Sequence, residues 1–177
     1  MSHLASSIRA AKSAAATLRS KSGGRELLSI ECREISLVDR PAASLPGLDH
    51  NVLLLKSVAA VEILKRDDEE QTITGAVLTP NVLDKQGDRY GAKAVRDAAH
   101  AYLRDHRKVR LMHKQDADDR AHIVESWLAP ADLTIGGHAV REGSWIVTMK
   151  IVDPGLWRDV RAGRVGGFSI GGHATSR

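Results

Sequence analysis

A serine flanked on both sides by paired glycines sits in the run Gly166-Gly167-Phe168-Ser169-Ile170-Gly171-Gly172. A serine nucleophile needs an open approach for a carbonyl carbon and nearby N–H groups to hold an oxyanion. Glycines favour both, because they let backbone come close and adopt unusual dihedrals. The letters Gly167-Phe168-Ser169-Ile170-Gly171 match G-x-S-x-G, but no strong helix follows, so the nucleophile elbow of α/β-hydrolases does not fit. The same letters also describe a plain glycine-rich strand and turn. A second candidate is His113, at the end of the apolar run Val109-Arg110-Leu111-Met112. A strand can hold such a ring firmly, as a general base requires. A third is Glu125, in Val124-Glu125-Ser126-Trp127, where a carboxylate could orient an imidazole or simply face water.

Other chemistries find less support. The chain has eight histidines, but His100, His106 and His113 lack the H-E-x-x-H spacing or a cysteine pair that zinc would need. Gly136-Gly137 and Gly171-Gly172 lack the lysine and helix of a phosphate-binding loop. Cys32 is the single cysteine, so no disulfide can form within the chain. Its strand-like surroundings mark it as buried filler.

The elements that must position these residues are mostly strands. The periodicity predicts strands at Leu27–Val38, Asn51–Leu55, Thr72–Leu78, Val109–Met112, Ile123–Leu128, Trp145–Val152 and Gly166–Gly172. Ser57–Lys65 suits either helix or strand. Ala92–His106 is the clearest helix, with Val95, Ala98, Ala99, Tyr102 and Leu103 on one face. Pro154–Ala162 predicts a short helix opened by proline and closed by Gly163. Asp84–Asp88 reads as a turn. Strands and helices do not alternate, which argues against a doubly wound sheet. The expected class is α+β: a mixed or antiparallel, β-barrel-like core with one long and one short peripheral helix.

The 177 residues suffice for one domain plus a tail. Residues 1–24 form a basic, Ala- and Ser-rich arm, flexible or helical, and residues 25–177 form the domain. A net charge of +4 is mild, and the basic arm lacks the interleaved aromatics of a nucleic-acid site. No apolar run approaches the ~20 residues that span a bilayer.

Taken in order, Thr74–Pro80, Asp84–Asp88, the helix from Ala92, Leu111–Lys114, Val124–Trp127, Gly143–Trp145 and Gly166–Gly172 resemble the XkdF-type phage serine proteases, over roughly residues 72–174. Beyond these, the chain is similar to the prohead-maturation proteases of tailed phages and the herpesvirus assemblins, where a strand histidine precedes the serine. The Arg33–Ala42 run also resembles a segment near the start of phage morphogenesis proteins. The resemblance implies a serine endopeptidase with Ser169 as nucleophile and His113 as base, needing no metal or organic cofactor. It implies cleavage of scaffold and major capsid proteins, and of the chain itself, inside the immature capsid in the bacterial host cytoplasm. Self-association belongs to the same expectation; a membrane partner does not. Relatives often supply the third group after the serine, where His173 is the obvious candidate here. Glu125 is the favoured third member. The alternatives are a group beyond Arg177 or an impaired site. The rival reading is a non-catalytic, protease-like structural or scaffold component.

Overall fold

Strand β1 (Glu26–Val38) organises the molecule. Its apolar residues Ile30, Cys32, Ile35 and Leu37 are buried, while Glu31 and Glu34 face the other way. That alternation is what a sheet with one packed face demands. The computed structural model describes residues 26–39, 53–83 and 88–176, with backbone only for 53–62 and 176. The predicted arm, the loop at 42–50 and most of the turn at 84–88 lie outside the described residues.

On one side β1 pairs antiparallel with β12 (Gly167–Ser176), with Ser36 opposite Ser169 and Glu34 opposite Gly171. On the other it pairs parallel with β6 (Lys108–Leu111), and its first residues pair with β5 (Arg89–Tyr90). The antiparallel neighbours β2 (Leu53–Glu62) and β7 (Gln115–Asp116) complete the order β2-β12-β1-β6-β7. The segment that suited either helix or strand is therefore strand.

A second, antiparallel sheet runs β3 (Lys65–Asp67), β4 (Thr72–Leu78), β11 (Trp145–Ile151), β8 (Ala121–Leu128). A small hairpin, β9 (Leu133–Ile135) and β10 (His138–Val140), turns at Gly136 and Gly137, both at positive φ (58° and 87°). Two residues in that region make the tight turn whose twist suits a hairpin. Among the described residues no sheet closes on itself, so the pairings stop short of the expected barrel. The class, mixed α+β and mostly strand, stands.

Helix α1 (Ala92–Ala101) buries Ala94, Val95, Ala98 and Ala99. Residues 102–106 continue it as one wider π turn, which Arg107 ends at φ 52°. Tyr102 is fully buried there; its hydroxyl donates to the Lys108 carbonyl at 2.8 Å, and its ring meets Trp145 at 5.5 Å. Tyr102 thus ties the helix end to the start of the strand that leads to His113. Helix α2 (Pro154–Arg161) is capped by Asp153, which accepts from the Leu156 N–H, and buries Leu156, Trp157 and Val160. Gly163, at φ 72°, follows it. No helix among the described residues is long and apolar enough to cross a membrane.

Candidate active site

The face of the first sheet opposite Cys32 and Ile35 carries a row set by strand alternation: Glu34 and Ser36 on β1, Ser169 and Gly171 on β12, Arg110 on β6. His113 hangs over this row from the hairpin that joins β6 to β7. Met112 and His113 occupy the left-handed region, at φ 52° and 57°. The Lys114 N–H closes the turn on the Leu111 carbonyl at 3.0 Å. Two consecutive non-glycine residues there cost on the order of 1–3 kcal/mol each. β1 holds them in place: the Met112 N–H donates to the Leu37 carbonyl at 2.9 Å, and the His113 N–H to Ser36 Oγ at 3.1 Å. The sequence predicts His113 at a strand end; the structure puts it in a strained turn anchored to a neighbouring strand.

That anchoring sets the ring between two partners. His113 Nε2 lies 2.9 Å from Ser169 Oγ, and Nδ1 lies 2.8 Å from Glu34 Oε1. An ionised carboxylate only accepts, so the Nδ1 proton points at Glu34 and Nε2 is left to accept from the serine. Serine, histidine and glutamate are thus in a line of hydrogen bonds, drawn from three adjacent strands and their hairpin. The side chains of Glu34 and His113 are 15% and 22% exposed and Ser169 is 2% exposed, so the line is shielded from water.

The glycines that drew attention to Ser169 have distinct jobs. A methyl on Gly171 would stand 2.7 Å from Cγ and Oε1 of Glu34, so the carboxylate crosses the sheet through space that only glycine leaves open. A methyl on Gly172 would collide with the Glu31 carbonyl, where β1 carries Arg33 as an extra, bulged residue. The Arg110 guanidinium reaches Glu34 Oε2 at 3.2 Å and Asp116 Oδ1 at 3.1 Å.

The structure therefore joins Ser169 and His113 but not Glu125. Glu125 lies on β8 in the other sheet, exposed, where its Oε2 accepts from Thr148 Oγ1 at 2.6 Å. Thr148 in turn meets Thr74 at 3.0 Å, making a cross-strand polar row on β4, β11 and β8. The strand that carries this carboxylate belongs to the second sheet, not to the one that holds Ser169. His173 sits opposite Glu31, away from His113 in the line. Glu34 is the carboxylate missed. Its signal was an acid among alternating buried apolar residues, within the Arg33–Ala42 run singled out for its resemblance.

Cys32 is fully buried, and burial pushes its thiol up from the ordinary value. It packs on the opposite face of β1 and has no part in the line. Among the described residues no cluster of three or more metal-ligating side chains is assembled.

A shielded serine bonded to a histidine, itself bonded to a carboxylate, is the arrangement of serine-nucleophile hydrolases. Sequence comparison gives the family. Residues 60–177 match a family described as "Putative phage serine protease XkdF", and the chain belongs to that family. The match includes His113 and Ser169, whereas Glu34 lies ahead of it. Two proteins of Bacillus subtilis (strain 168) are similar. One is the phage-like element PBSX protein XkdF, 29% identical over 160 residues, covering 85% of this chain and 55% of that protein. The other is the uncharacterized protein YqbD, 29% identical over 157 residues, covering 85% and 47%. The chain spans about half the length of these curated relatives. No solved structure matches it.

Proposed function

We propose that the chain is a serine endopeptidase of phage capsid assembly, with Ser169 as nucleophile, His113 as general base and Glu34 as the group that holds and charges-balances His113. The observation that carries this reading is the unbroken Glu34–His113–Ser169 line, at 2.8 and 2.9 Å. Ser169 Oγ attacks a peptide carbonyl carbon while its proton passes to His113 Nε2. The imidazolium, stabilised by Glu34, then gives that proton to the departing amine nitrogen, leaving an ester on Ser169. Water, deprotonated by the same imidazole, clears the ester. The proposed substrates are scaffold and major capsid proteins and the chain itself, inside the immature capsid in the host cytoplasm. Kinship with prohead proteases and assemblins is part of this proposal and rests on the histidine preceding the serine.

Wild type and Ser169→Ala are compared by intact mass, alone and with a candidate scaffold protein, and by labelling with a fluorophosphonate. Fragments and label confined to the wild type are expected, with a rate loss of several orders of magnitude, on the order of 10⁶ by analogy with other serine proteases. Unchanged cleavage in the mutant rules out Ser169 as nucleophile. A second reading, a non-catalytic protease-like structural or scaffold component, draws on the 2% exposure of Ser169. Identical masses and no label in either protein would favour it.

A further inference from the structure

We propose that Arg110 is a positioning residue for this site, one that fixes the Glu34 carboxylate and the His113 turn in a single register. The proposal rests on the hydrolase reading above for its kinetic consequence, though not for its structural one. Arg110 lies three residues before His113, opposite Ser36, on the same sheet face as Glu34. Its Nη1 lies 3.2 Å from Glu34 Oε2 and 3.4 Å from the His113 carbonyl, and its Nε is 3.1 Å from Asp116 Oδ1. One guanidinium thus touches the carboxylate, the backbone of the base, and the strand that follows the turn.

The geometry gives each contact a task. Glu34 has two oxygens and His113 takes only Oε1. Holding Oε2 stops the carboxylate rotating about its terminal bond, which is otherwise broad and soft. The contact to the His113 carbonyl supports a turn whose φ of 57° is unfavourable on its own. Asp116, on β7, holds the guanidinium from the far side, and Lys108 stands 3.6 Å from that same carboxylate. A planar fork of five donors can serve all three acceptors; a lysine ammonium, a single point on a flexible stem, cannot hold them in one plane.

The test uses Arg110→Gln and Arg110→Lys in the full chain, with two readouts. The first is the fluorophosphonate labelling rate together with kcat and KM on a cleaved scaffold protein. Displacement of the base and its partner by up to about 1 Å predicts a loss of about 10- to 100-fold in kcat for Arg110→Gln, with KM unchanged. Arg110→Lys should fall between that variant and the wild type. The second readout is the downfield proton resonance of the His113 Nδ1–H, which needs no activity. It should persist in the wild type, weaken in Arg110→Lys and vanish into solvent exchange in Arg110→Gln. If Arg110→Gln does not fold, Arg110→Lys decides, because a wild-type rate and resonance there overturn the requirement for the fork. A change in KM alone would make Arg110 a substrate contact and overturn the proposal. A folded wild type that takes no label would refute the hydrolase reading instead, and the resonance would still decide on Arg110.

Discussion

Gly171→Ala separates what the fold needs from what the chemistry needs. The added methyl would stand 2.7 Å from Glu34 Cγ and Oε1 and 2.8 Å from Cδ. Carbon atoms settle at about 3.5–4.0 Å, so Glu34 must retreat by roughly 1 Å. Its 2.8 Å bond to His113 Nδ1 cannot survive a displacement of that size. A shift of about 1 Å costs about 10²-fold, and complete loss of the correct tautomer about 10⁴-fold, so activity should fall within that range. Stability should hardly change. Glu34 can swing toward solvent, and alanine in a strand regains about 0.5–1 kcal/mol over glycine, which offsets the lost contact with Arg110. The assay is the fluorophosphonate labelling rate beside a thermal melt. Because the damage passes through Glu34, Gly171→Ala/Glu34→Gln should be no slower than Glu34→Gln alone. A Gly171→Ala protein labelled at the wild-type rate, or a double mutant slower than Glu34→Gln, would refute the reasoning.

Glu125→Gln should leave the labelling rate at the wild-type value, since its carboxylate bonds Thr148 in the other sheet; a loss as large as that of Glu34→Gln would reverse the assignment of the third member. Asp153→Ala should lower the melting temperature at neutral pH, because Asp153 caps α2 and pairs with Arg120 at 2.9 Å. The Arg120 bond, then the Leu156 N–H, hold its carboxyl below the ordinary 3.8. A depressed folded value gives stability that is present above that ordinary value and lost as pH falls through the folded one. The gap between wild type and mutant melts should therefore narrow below pH 3.8, and a gap that widens in acid would contradict the cap.

Local pattern was enough to single out Ser169 and His113, whose side chains meet in the structure, and most strands, because glycine flanks, apolar runs and alternation are written within a few residues. It was not enough to find Glu34, the carboxylate bonded to His113. Glu34 and His113 are 79 residues apart, and their meeting depends on β6 running parallel to β1 rather than β8 joining that sheet. No local period encodes such a pairing. The left-handed turn at Met112 and His113 was illegible for a related reason. Neither residue is glycine or asparagine, and the hydrogen bonds that hold the turn come from Ser36 and Leu37. The π turn after Ala101 was equally hidden, since its residues continue the helical pattern of α1.

The interior place of β1, between β12 and β6, also bears on how the Glu34–His113–Ser169 line is assembled. The pairings of β1 with β12 and β6 join residues far apart in sequence, and contacts of that kind slow folding. Until β1 is inserted, the serine and histidine have no carboxylate, no Ser36 to seat the turn and no Glu34 side chain over Gly171. A fragment starting at residue 60 would keep Ser169 and His113 but lose Glu34, Ser36 and the strand that lies between β12 and β6.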